Sequence, residues 1–187
     1  MFQIIVSFLL TVVACTNNVA LETEKHDQPS STRVINHEDK EQSLMIIPFK
    51  DSIDTKHIPP DSLIDFAQTL IGVPYKYGST DVNKGFDCSG FITYVFNHFN
   101  IAVPRSSVDF THVGKEVKLS QTKPGDLILF TGTDSTKRIV GHMGIITQTT
   151  DTIKFIHSTS GKAYGVTQTP LNKSYQARFV KTIRIFE

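Results

Sequence analysis

Of the residues in this chain, Cys88 is the one whose surroundings best suit covalent chemistry. It follows Asp87 and precedes Ser89, Gly90 and a run containing Phe91, Ile92, Val95, Phe96 and Phe99. Phe91, Val95 and Phe99 are spaced by four, and Ile92 and Phe96 form a second row, so a helix buried on most sides is expected. Cys88 would then occupy its first turn, where unpaired backbone N–H groups and the positive end of the helix dipole stabilise an anion. A thiolate is favoured there, and the small Ser89 and Gly90 would let a substrate approach the backbone. The competing reading, a cysteine serving as a small buried hydrophobe, does not account for that position.

A nucleophilic thiol needs a base. The chain has seven histidines. His26, His37 and His57 lie in a polar N-terminal stretch, and His98 and His112 suit surface or structural roles. His142 opens Gly141-His142-Met143-Gly144-Ile145, and His157 closes Ile153-Lys154-Phe155-Ile156-His157, two runs of strand character. If they form a hairpin turning at Gln148-Thr149-Thr150-Asp151, His142 stands opposite His157 on one face, with Cβ atoms about 4.5–5.5 Å apart. One imidazole would orient the other, as in a catalytic triad. Two alternatives stay open on the residues alone: strand histidines with unrelated roles, and a zinc site of Cys88, His142 and His157. The second lacks any closely spaced ligand pair.

The positioning elements follow from periodicity and turn chemistry. A helix capped by Asp61 or Ser62 carries Leu63, Phe66, Ala67 and Leu70 on one stripe and ends near Gly72. Val73 to Gly78 reads as an ordered loop, and Asn83-Lys84-Gly85 as a turn. Strand character recurs over 126–130, 142–148, 153–157, 165–169 and 178–186. Helices first and strands afterwards predict an α+β domain with an antiparallel sheet.

Composition limits the function classes. With 187 residues, 19 Lys+Arg, 18 Asp+Glu, 39% hydrophobic residues and two cysteines, the sequence describes one ordinary globular domain rather than a disulfide scaffold. No nucleic-acid partner is expected, because net charge is +1. Residues 1–15 carry no charged side chain, residues 16–60 hold five basic and eight acidic, and 61–187 hold fourteen and ten.

Residues 1–14, MFQIIVSFLLTVVA, have the apolar core of an export signal and are too short to span a membrane. Val12-Val13-Ala14-Cys15 resembles a bacterial lipobox, which implies diacylation of Cys15 and a lipid anchor, although no Lys or Arg precedes the apolar run. Residues 15–60 then read as a polar tether, with the apolar island Leu44 to Phe49 docking on the domain. Thr16 after the lipidated cysteine is not an acidic retention residue, so the outer membrane, facing the periplasm, is the expected location. With Cys15 acylated, Cys88 has no intramolecular disulfide partner.

Six blocks in order resemble the NlpC-type cell-wall cysteine peptidases: Gly72-Val73-Pro74-Tyr75-Lys76-Tyr77-Gly78, Phe86-Asp87-Cys88-Ser89-Gly90-Phe91, Val103-Pro104-Arg105-Ser106-Ser107, Lys123-Pro124-Gly125-Asp126-Leu127, Gly141-His142-Met143-Gly144-Ile145 and Phe155-Ile156-His157-Ser158. The resemblance covers 61–187. It implies a papain-like fold whose nucleophile helix packs on an antiparallel sheet, with Cys88 as nucleophile, His142 as base and His157 as the residue orienting that base. It also implies an active-site role for Tyr75, and for Asp87 and Ser89 in holding the free amino end of the substrate peptide. Tyr77 would line the cleft, and Arg105 would serve as an ion-pair residue or a substrate contact. The implied activity is hydrolysis of amide bonds in peptidoglycan stem peptides or crosslinks by a monomer needing no metal or cofactor. The bond would be diamino acid to D-Ala across a crosslink, which the short lipoprotein layout favours, or D-Glu to diamino acid within one stem. A related cysteine amidase or acyltransferase, and a catalytically inert wall-binding lipoprotein, are the alternatives.

Overall fold

The computed structural model describes residues 52–187. The proposed signal, Cys15, His26, His37 and the island at 44–49 lie outside them. The folded body starts earlier than expected at 61, because Ile53 is buried in the main core and Ile58 packs against it.

Helix α1 spans Pro60–Thr69. Its cap is Pro59 rather than Asp61 or Ser62, and no side chain closes it. Pro60 starts the helix because its fixed φ suits the first helical position, where its missing N–H costs nothing. Leu63 and Ala67 are fully buried, as the stripe requires. A two-residue ladder, β1 (Thr80–Asp81) with β2 (Gly85–Phe86), folds over the expected turn and delivers the chain to α2, Cys88–His98. Phe91, Ile92, Val95 and Phe96 of α2 have no exposed surface. At about 1.5–3 kcal/mol for each large apolar side chain removed from water, these four hold α2 to the domain.

One six-stranded antiparallel sheet forms the other layer: β3 (Lys115–Val117), β4 (Leu127–Thr131), β5 (Val140–Gln148), β6 (Lys154–Thr159), β7 (Gly165–Pro170) and β8 (Phe179–Arg184), in the order β3-β8-β4-β5-β6-β7. Leu127, Leu129, Met143, Ile145 and Ile156 share one core with α1 and α2, while Ile128, Phe130, Ile146, Phe155 and Leu171 form a second. Alternation along the strands therefore builds two apolar clusters. The last expected strand, 178–186, is β8, and a short helix not expected from the sequence, α3 (Lys173–Arg178), capped by Asn172, precedes it.

The β5–β6 register also differs from expectation. Ile145 pairs with Ile156 and Ile146 with Phe155, and the ladder shifts between Ile146 and Gln148. The turn is therefore displaced toward the C-terminus, with Asp151 in the left-handed region at φ 59°. His142 and His157 are diagonal neighbours rather than directly opposed. An even displacement leaves both on one face, so their contact survives.

Candidate active site

Asp87 caps α2: its Oδ1 accepts from the Gly90 N–H at 2.5 Å. Arg105 clamps the same carboxylate, donating from Nη1 to Oδ1 at 3.1 Å and from Nη2 to Oδ2 at 2.7 Å, and Nη1 also donates to Ser89 Oγ at 2.9 Å. Both Asp87 and Ser89 are buried. Arg105 is thus an ion-pair residue, and the side chains expected to meet the substrate amine already brace the first turn of α2. Gly90 is small for a different reason than expected: a Cβ there would run into the Ser79 carbonyl oxygen. The close approach is made by the protein's own backbone.

This turn places Cys88, which is half-buried, at the start of β5. Its Sγ lies 3.9 Å from the Gly141 carbonyl oxygen, a contact too long to hold the thiol proton firmly. The N–H groups of Ser89, Cys88 and Met143 point toward the sulfur and lower its pKa, but burial, and then the Asp87 charge, push it up overall. The helix-start position therefore does not make a standing thiolate. Gly141 and Met143 flank His142, so the sulfur rests on the backbone that carries the expected base.

His142 and His157 are both buried, and His142 Nε2 is 2.8 Å from His157 Nδ1. The other nitrogen of His157, Nε2, is 3.0 Å from Thr169 Oγ1. Burial pushes both histidines down, His142 well below the ordinary 6.5 and His157 to about 3, and the Arg178 guanidinium acts in the same direction. The pair is neutral at pH 7. These bonds also argue against the zinc reading, since three of the four ring nitrogens are committed to hydrogen bonds within the relay.

Tyr175 from α3 closes this side. Its ring centroid lies 5.4 Å from that of His157 and 6.1 Å from that of His142, and 5.0 Å from Phe130 and from Phe155. Arg178, one turn later, donates to the Gly132 and Thr131 carbonyls, each at 2.9 Å, and lies 5.4 Å from the Tyr175 ring centre. No local pattern in the sequence marks Tyr175, Arg178 or Thr169, because a six-residue helix has no apolar stripe and Thr169 meets His157 only through the β6–β7 register. Ser158, beside His157, donates to the Phe86 carbonyl at 2.7 Å. That bond ties the histidine strand to the segment entering α2. The Tyr75 ring lies 5.9 Å from that of Tyr164, and its phenol is pushed up by burial and then by Cys88 and Asp87. Tyr77 is exposed. His98 stacks on Phe66 at 3.6 Å between centroids, the structural role expected of it.

The model of the NlpC/P60 family matches residues 72–184, which contain every residue of this constellation. The chain belongs to the NlpC/P60 family. A gamma-DL-glutamyl hydrolase of Bacillus subtilis is 32% identical over 123 residues, covering 66% of this chain and 29% of its own length. A probable endopeptidase, an NlpC homologue of Haemophilus influenzae, is 27% identical over 183 residues, covering 94% of this chain and 92% of its own. The crystal structure of an NlpC/P60 family protein from Bacillus cereus superposes with a TM-score of 0.61 at 30% identity, over 72% of this chain and 42% of that one. The NlpC/P60 chain described here thus spans under a third of the Bacillus subtilis relative but nearly all of the Haemophilus one. The likeness in fold agrees with the α+β, papain-like reading.

Proposed function

We propose that this protein is a cysteine endopeptidase that hydrolyses amide bonds in peptidoglycan stem peptides. The observation that carries the reading is a half-exposed thiol at a helix start, resting on the strand that brings in His142, with His142 held by His157. Cys88 is the nucleophile, His142 the base and His157 its orienting partner. His157 engages Nε2 of His142, which leaves Nδ1 to receive the thiol proton. Burial holds the thiol up and the imidazole down, so the resting pair is neutral and proton transfer accompanies attack. The S–H bond breaks, its electron pair attacks the carbonyl carbon, and N–H groups at the start of α2 stabilise the oxyanion. His142 then protonates the leaving amine, and water releases the acyl group.

The Bacillus subtilis relative's name specifies a γ-glutamyl bond. We therefore put D-Glu to diamino acid first and the diamino acid to D-Ala crosslink second. Tyr75 is assigned to the cleft wall, and Asp87 and Ser89 to the end that receives the peptide's amine. The protein acts in the cell envelope, and we further propose a lipid on Cys15 and an outer-membrane location. No helix among the described residues is long and apolar enough to cross a membrane. Incubating purified sacculi with the protein and with Cys88→Ala tests the activity. Soluble muropeptides released only by the unmodified protein are expected, and their masses identify the bond. Equal release by both would refute the assignment of Cys88. Mass analysis of the mature N-terminus, with Cys15→Ser as control, tests the anchor.

A further inference from the structure

The hydrogen-bonded line of rings does not end at His157. Its Nε2 meets the hydroxyl of Thr169 at 3.0 Å. In the β6–β7 ladder His157 pairs with Thr167, so Thr169 is its diagonal neighbour on the same face. His157 has no exposed surface, and the rings of Phe155 and Tyr175 cover it at 4.8 and 5.4 Å. Among the described residues, Thr169 is the hydrogen-bond partner of that nitrogen.

Two arrangements of protons fit the two heavy-atom distances, 2.8 and 3.0 Å. In one, His142 Nε2–H donates to His157 Nδ1, and His157 Nε2–H donates to Thr169 Oγ. His142 Nδ1 is then bare and can accept a proton. In the other, every bond is reversed: the Thr169 hydroxyl donates to His157 Nε2, His157 Nδ1–H donates to His142 Nε2, and His142 Nδ1 already carries hydrogen. The second arrangement cannot take the thiol proton. A neutral imidazole has one donor and one acceptor, so fixing either end of the line fixes all of it.

We infer that Thr169 is a positioning residue: its hydroxyl accepts the His157 Nε2 hydrogen bond and so holds the arrangement in which His142 Nδ1 is free to act as the base. The inference rests on the proposed roles of Cys88 and His142. Thr169 is half-buried, so while accepting from His157 its own O–H proton can turn toward solvent. Replacing the hydroxyl by a methyl group leaves His157 Nε2 facing carbon. A buried N–H without an acceptor is then avoided by moving the proton to Nδ1, which reverses the line.

The test is nitrogen-15 NMR of the full chain at pH 7, reading which ring nitrogens of His142 and His157 carry hydrogen, together with kinetics on a stem peptide. Hydrogen on Nε2 of both rings is expected. In Thr169→Val, hydrogen moves to Nδ1 of both rings, and kcat falls about 10- to 100-fold with KM within roughly twofold. Thr169→Ser restores both readouts. A native protein with hydrogen on His142 Nδ1 overturns the inference, and so does a Thr169→Val protein that loses activity with its ring nitrogens unchanged. Should Thr169→Val fail to fold, the native spectrum and Thr169→Ser still decide the matter: an altered proton pattern in the serine variant also refutes it. The ring nitrogens are read without substrate. An inactive protein with the expected pattern would refute the hydrolase proposal and leave the line of hydrogen bonds intact.

Discussion

Acid should loosen this domain through the same histidines that are proposed to run its chemistry. His157 has no exposed surface and titrates at about 3 in the folded protein, against an ordinary 6.5. Between those values the unfolded chain binds a proton that the folded chain refuses. The stability linked to His157 is therefore fully present above pH 6.5 and is lost progressively as pH falls toward 3. At pH 5 the shortfall is one and a half pH units, or about 2 kcal/mol at 1.36 kcal/mol per unit. His142, also pushed well below 6.5, adds loss of the same sign. Asp54, Asp81 and Asp134 are lowered from 3.8 by hydrogen bonds to neighbouring groups, so the stability linked to them is lost only near and below pH 4, outside this window. The assay is urea unfolding followed by far-ultraviolet circular dichroism between pH 7.5 and 5, in Cys88→Ala to avoid oxidation. A fall of about 2–4 kcal/mol is expected, set by one or both histidines. His157→Gln in that background removes one titrating group and should roughly halve the slope. Stability that stays flat across the window, or a slope unchanged by His157→Gln, would show that the pair is not buried neutral and would overturn the neutral thiol–imidazole mechanism.

The remaining expectations concern the thiol and its supports. Because burial and Asp87 raise the Cys88 thiol above its ordinary 9.0, alkylation by iodoacetamide should keep accelerating beyond pH 9. A plateau already reached at pH 6 would indicate a standing thiolate. Since His142 is held well below 6.5, kcat/KM on a stem peptide should stay level from pH 7 to 6 and fall only in stronger acid, whereas half-loss at pH 6.5 would contradict its burial. Arg105→Ala leaves the buried Asp87 carboxylate without its ion pair and should cost roughly 1–2 kcal/mol in urea unfolding, discounted for the partial exposure of the arginine. Gly90→Ala drives a methyl group into the Ser79 carbonyl and should cost about 1–3 kcal/mol while lowering kcat, because the first turn of α2 must shift. A stable, fully active alanine variant would place the tight contact elsewhere.

Local chemistry made the surroundings of the proposed nucleophile legible. An aspartate that caps, a cysteine, then rows of apolar residues spaced by four specify a buried helix with a thiol at its start wherever the helix finally docks. The two histidines were readable as a same-face pair because side chains alternate with period two, so even a displaced turn kept them together. The displacement itself was not readable, since Asp151 in the left-handed region and the irregularity near Gln148 are settled by packing of the completed sheet. The cap of α1 differs from expectation for a related reason: Asp61 and Ser62 are good caps, yet Ile53, buried in the core, and Ile58, packed against it, bring the chain in so that Pro60 begins the helix.

The composition of the site is where sequence and tertiary structure divide. The sequence alone determined the residues proposed to react, Cys88, His142 and His157, and the elements that carry them, because these depend on residue spacing of a few positions. Only the folded chain decided that the thiol and imidazole start neutral, that Arg105 is bound to Asp87, and that Thr169, Tyr175, Arg178 and Ser158 complete the surroundings. Those properties depend on desolvation and on contacts between residues up to 72 positions apart, as in the bond from Ser158 to Phe86. Distances of that kind leave no periodic trace along a chain, since strand order and register create them only when the whole sheet closes.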